Sequence, residues 1–209
     1  MTRGRSNQKA RTRAAILGAA VDLLREGKPV SVPEAAERAL VSPATAYRYF
    51  TSAEELADEA SIELLHFVAS TEEIGGAIET AGDDVHARLE ALVRWLGWRM
   101  LNDPMPFRQQ AKAGLDRWFA QQHVDPEDRV PVREGRRNAL IRQAVGPLGG
   151  RLSATDFERL VAALGVGLGT ESAISLVDVA NLDPETALDT MLATCRWILD
   201  GALADAGVT

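Results

Sequence analysis

Three helix-start signals crowd into residues 31–55, and together they demand short helices joined by tight turns. In Ser31-Val-Pro-Glu34 the serine hydroxyl is placed to accept from the amide three residues on, and Glu34 to reach back to the Ser31 amide. Pro33 falls in the first turn, where its missing N–H breaks no helix bond. Ser42 precedes Pro43 at a first helical position, and Ser52-Ala-Glu-Glu55 is a second capping box. The helix opened at Ser31 is therefore predicted to end near Ala39 and the one opened at Ser42 near Phe50. Leu40-Val41 is the turn between them, and the helix opened at Ser52 runs to about Glu72.

Most of the remaining chain also has helical periodicity. A first helix is predicted from Gln8 to Glu26, because Ala14, Leu17, Val21 and Leu24 recur on one face and Gly27 ends it. Gly75, Gly76 and Gly82 predict a break. Further helices are expected over about 84–101, 107–121, 132–145 and 153–179. A last one opens at Asp183-Pro184-Glu185, and its stripe of Leu188, Met191, Leu192, Cys195, Ile198, Leu199 and Ala202 is apolar throughout. Strand-like alternation is scarce. The expected fold class is all-α: a three-helix, helix-turn-helix head over 1–50 and a larger helical body over 51–209, with the fourth helix coupling the two.

Charge separates the same two parts. The chain carries −7, yet residues 1–50 hold nine Lys/Arg against four acids, leaving −12 on the rest. A basic end on an acidic body suits a nucleic-acid partner at that end. The single cysteine, Cys195, excludes an internal disulfide and fits a reducing compartment. With no signal-peptide pattern and no apolar run near the ~20 residues that span a bilayer, a cytoplasmic location is expected.

In the segment Ser31 to Phe50, Ala36, Ala39, Val41, Ala46 and Phe50 are suited to pack the short helices together. Thr45, Tyr47, Arg48 and Tyr49 carry hydroxyls and a guanidinium, the groups that hydrogen-bond phosphates and base edges. Pro43 and Ala44 are small enough to let the helix tip approach thymine methyls. Residues 11–60 resemble the tetracycline-repressor (TetR) family of bacterial regulators. The resemblance rests on Ser42-Pro-Ala-Thr-Ala-Tyr-Arg-Tyr-Phe50 followed by Ser52-Ala-Glu-Glu-Leu56, and on the spacing of Ile16, Ala36 and Phe50. The stretch from Gly169-Thr-Glu-Ser to Leu182-Asp-Pro-Glu is similar to the last helix pair of many members.

The resemblance implies a helical homodimer joined through its last two helices, with a DNA-binding head and an effector-binding body. By position, Pro43, Ala44 and Tyr47 would face bases, while Ser31, Thr45, Arg48 and Tyr49 would hold phosphates. Ala46 and Phe50 would be core. Two positions depart from the family pattern. Leu40 stands where a turn glycine is usual, and Ala53 replaces a lysine that usually meets the DNA backbone. The basic stretch from Arg3 to Arg13 is expected to compensate as an arm reaching an adjacent groove.

Between about 75 and 150 the resemblance is silent. Trp95, Trp98, Phe107, Trp118 and Phe119 cluster there, and helical ligand sites are mostly apolar with a few polar anchors. Trp95, Arg99, Phe107, Trp118 and Glu171 are the candidate lining of a small-molecule site. A plain tryptophan core and an internal Arg99–Glu171 ion pair are the competing readings. His66, His86 and His123 lack metal-ligand spacing, so no metal and no cofactor are expected. Gly165, Gly167 and Gly169 lie in a helical apolar run, where they suit close helix packing, as at a dimer axis. Two other classes fit the composition: an all-helical enzyme using the aromatic pocket, and an architectural DNA-binding protein without a ligand. No nucleophile–base pair favours the enzyme.

Overall fold

A computed structural model describes residues 3–68, 71–132 and 135–207, with side chains over 8–64, 73–132 and 135–207. It is all-α, with no strand among the described residues. The chain divides into two compact units, Met1–Ala69 with Met105–Asp116, and Ser70–Pro104 with Arg117–Thr209.

The first unit contains α1 (Arg3–Arg25), α2 (Val32–Arg38), α3 (Pro43–Ala46), α4 (Ala53–Val68) and most of α7 (Pro104–Ala120). Ile16, Ala20, Leu23 and Leu24 of α1 recur at helical spacing and are buried against Ala35, Ala36, Ala46, Phe50, Leu56, Ala60 and Leu64. Burying each Leu, Ile or Phe of this set stabilises by about 1.5–3 kcal/mol, which holds helices too short to stand alone. The N-terminus corrects the sequence expectation. Helix α1 begins at Arg3 rather than Gln8, so the whole basic stretch from Arg3 to Arg13 is helical. Its residues include no proline, and its arginines, Gln8, Lys9 and Ala10 favour helix, so the helix propagates outward from its buried half.

The second unit contains α5 (Thr71–Thr80), α6 (Val85–Asn102), the end of α7, α8 (Arg136–Ala144), α9 (Ala154–Gly167), α10 (Thr170–Ile174) and α11 (Pro184–Asp205). Helix α6 packs against α5, α8 and α11. Gly75 and Gly76 do not break the chain but lie inside α5. Ile74 and Ile78, one turn apart, are wholly buried, and that burial outweighs about 1 kcal/mol per glycine in helix propensity. Gly82, at φ +60°, does end the local helix region. Arg88 ties α6 to the end of α8 through the carbonyls of Ala144 and Gln143, at 3.0 and 2.8 Å.

The single helix expected from Ser153 to Val179 is broken. It stops at Gly167, resumes at Thr170 after an extended Gly169, and ends in a π-helical turn over Ser175–Val179. Gly167 serves packing inside the chain, where a Cβ would come within 3.2 Å of Cys195 Sγ and Ile198 Cδ1 on α11. Gly167 thus faces α11 of the same chain. Residues 154–179 are also long and apolar enough, by length and composition, to cross a membrane, and about half of the most apolar window is buried inside the protein. Within residues 160–177 the only charged residue is Glu171.

Candidate nucleic-acid interface

Helix α2 ends at Arg38 with Ala39 as its cap, and the next two amides close the turn. The Leu40 amide donates to Glu37 at 3.0 Å and the Val41 amide to Ala36 at 2.9 Å. This is the paired 5→2 and 6→1 pattern that normally has glycine at the left-handed position. Here Leu40 occupies it at φ +55°, with 93% of its surface exposed. A left-handed backbone is unfavourable for a residue with a Cβ, so the leucine is strained there.

Two residues later the Ser42 hydroxyl accepts from the Thr45 amide at 3.2 Å and bonds the Thr45 hydroxyl at 2.9 Å. Regular helix covers only 43–46, but the Tyr47, Tyr49 and Phe50 amides continue the winding onto Pro43 and Ala46 carbonyls. The winding divides its side chains between two faces. Ala46 and Phe50 are fully buried, as expected. Pro43, Ala44, Tyr47 and Arg48 are exposed, while Thr45 is half-buried and Tyr49 packs against the core edge. Ser31 is half-buried and accepts from the Glu34 amide at 3.3 Å, leaving its hydroxyl hydrogen to donate.

The capping boxes close by other partners than expected. Glu34 turns to Arg38 at 3.6 Å. Glu55 accepts from the Thr51 amide and hydroxyl, both at 2.7 Å, one residue before the predicted Ser52. The Thr51 bonds hold the Glu55 carboxyl below its usual range, and together with the Ser52 hydroxyl, which accepts from the Glu55 amide at 3.1 Å, they fix the turn from Phe50 into α4.

Charge counting overstated the cations available to a polyanion. Glu26 accepts from Arg38 at 2.8 and 2.9 Å and pairs with Lys28 at 2.7 Å. The Arg38 and Lys28 bonds hold the Glu26 carboxyl down to about 2. Arg13 bonds Glu59 of α4, at 2.6 Å to Oε1, and lies 4.9 Å from the centre of the Phe50 ring. It covers the Phe50 ring and braces that end of the segment. Lys9, Arg11 and Arg48 are exposed and form no ion pair among the described residues.

No family model, curated protein or solved structure matches this chain. Its function therefore rests on the geometry of the head and body themselves.

In the body, Trp95 and Arg99 come together. The guanidinium stacks 3.9 Å from the indole centre, donates to the Trp95 carbonyl at 3.2 Å and meets Glu73 at 3.5 Å. The Trp95 indole N–H is buried without an acceptor among the described residues. Trp118 is half-exposed and meets Phe119 edge-to-face at 5.0 Å. Glu171 is exposed in the first turn of α10, and Phe107 is buried in the first unit. His86 bonds Asp200 at 2.7 Å beside a shallow cleft lined by Leu89, Val93, Leu192 and Cys195. Burial pushes the Cys195 thiol up to about 11. His66 lies outside the described side chains.

Sequence reasoning did not find the bracing by Arg13 or the projection of Leu40. A cation 37 residues before Phe50 carries no local signal of that contact. Leu40 did carry one: an apolar residue where the turn calls for glycine.

Proposed function

We propose that this chain is a ligand-responsive, DNA-binding transcriptional regulator of the tetracycline-repressor type, acting as a homodimer in the cytoplasm. One observation carries the reading. Tyr47 and Arg48 stand exposed one turn behind a serine-capped helix tip, while Ala46 and Phe50 of the same segment are sealed in the core. A short helix anchored on one side and hydroxyl- and cation-bearing on the other suits insertion into a major groove. Pro43, Ala44 and Tyr47 read base edges, and Ser31, Thr45, Arg48 and Tyr49 hold phosphates. Lys9 and Arg11 on α1 supply the charge that the bound Arg13, Lys28 and Arg38 do not.

Dimerisation through α9 to α11 presents two recognition segments to an inverted-repeat operator, about 34–36 Å apart or somewhat more. An effector held near Trp95 and Arg99 favours a spacing of the two heads that misfits the grooves. A coupling of about 1–3 kcal/mol is enough to change operator affinity 5- to 150-fold. Release of repression is the direction the resemblance supports.

The test begins with duplexes enriched from a random-sequence library by the full-length chain. Tyr47→Ala should abolish their specific retention in a gel shift while circular dichroism and dimer mass stay unchanged. Retention equal to that of the unmodified chain refutes the reading.

A further inference from the structure

Leu40 presents a combination that folding does not explain. Its left-handed backbone is unfavourable for a residue with a Cβ. Its side chain, 93% exposed, repays none of that through burial in the fold. Val41, the next residue, is the one that packs on the core. Glycine would close the same turn without strain. Strained residues that gain nothing from the fold concentrate where a chain meets a partner.

The position suggests which partner. Leu40 lies three residues before Pro43, so its Cα is within about 10 Å of the helix tip even when the chain is fully extended. Ser42, Pro43 and Ala44 beside it are all exposed. We infer that Leu40 is a further DNA-contacting residue, packing its isobutyl group on the apolar edge of the duplex beside the inserted helix. This rests on the DNA-binding reading above and extends it to a residue outside the recognition helix. Two parts of DNA offer that chemistry, the thymine C5-methyl group and the deoxyribose.

Binding by the full-length chain to its library-enriched duplex is compared for Leu40→Gly, Leu40→Asn and Leu40→Met. Asparagine tolerates the left-handed turn without the apolar group, and methionine keeps the apolar group. Glycine and asparagine variants should bind about fivefold or more weakly, the lower end of what one base-edge contact contributes, with methionine near the original. All should show an unchanged salt slope, since no phosphate contact is removed. Replacing thymine by deoxyuridine in the duplex identifies the source. Weaker binding of the original chain alone points to the methyl group, and no change points to the sugar. Equal affinity of the original, glycine and asparagine forms overturns the inference while leaving the DNA-binding reading intact. So does a methionine variant as weak as the other two, or a change of oligomeric state. Failure of the original chain to enrich any duplex overturns both.

Discussion

The Val41 amide donates to the Ala36 carbonyl at 2.9 Å, bridging over a leucine held at φ +55°. This bond fixes the angle at which the second short helix leaves the first, and Leu40 is strained to let it form. Replacing Leu40 by glycine removes about 1–2 kcal/mol of left-handed strain and adds about 0.5–1 kcal/mol of chain entropy. A net gain near 0.5–1 kcal/mol is expected, seen as a higher urea midpoint at constant slope. A lower midpoint would show that the leucine supports the fold. Stability and DNA affinity are thus expected to move in opposite directions at this one residue.

Arg13 holds the Phe50 end of the segment that opens at Ser42. Its guanidinium sits over the Phe50 ring and bonds Glu59, but both charged side chains are partly exposed. Solvent limits the ion pair, and the ring contact adds a similar amount, so Arg13→Met should destabilise by about 1 kcal/mol. Arg13→Lys should recover only part, since lysine lacks the planar fork. Denaturant titration of the two variants measures this. Equal midpoints for both and for the original would remove Arg13 from the set of bracing residues.

Acid should loosen the head through Glu26. Its folded carboxyl titrates at about 2 against an ordinary 4.5, because Arg38 and Lys28 bond the charged form. A depressed pKa gives stability that is complete above the ordinary value. That stability is lost as pH falls from about 4.5 through about 2. Unfolding midpoints followed between pH 6 and 2 should therefore drop less steeply for Glu26→Gln than for the original chain. Parallel curves would mean that the cluster contributes nothing in solution, as exposed pairs often do.

Gly97 lets α6 approach α11. A Cβ there would fall 2.9 Å from Leu188 Cδ1 and 3.7 Å from Met191 Sδ. Both neighbours are ends of flexible side chains, so Gly97→Ala should be nearly neutral, the contact offset by better helix propensity. Gly97→Val adds branching that the gap does not hold and should destabilise by about 1–3 kcal/mol. Thermal unfolding of the pair checks the ordering. A valine variant as stable as the alanine one would show a looser contact than these distances describe.

How much was legible in the sequence varied with the range of the interaction. The caps at Ser31, Ser42, Ser52 and Asp183 all form as read, because each joins a side chain to an amide two or three residues away. That an apolar residue fills a turn position at Leu40 was legible for the same reason, while its left-handed backbone and exposure were not. The glutamate halves of the two capping boxes were not. Glu34 and Glu55 each had a competing partner one turn or less away, and the carboxylates took Arg38 and Thr51.

Amino-acid order alone determined the all-α class, the serine-capped short helices and the buried pair Ala46 and Phe50. Periodicity and capping depend on neighbours within one or two turns. Only the tertiary structure decided that α5 runs through two glycines, that the apolar run after Ser153 breaks at Gly169, and that Arg13, Lys28 and Arg38 spend their charge internally. Each of these turns on burial or on partners from elsewhere in the chain: Ile74 and Ile78 sealed in the second unit, Cys195 and Ile198 against Gly167, and Glu59 and Glu26 for the cations. Such energies belong to contacts made in space, which no local pattern encodes.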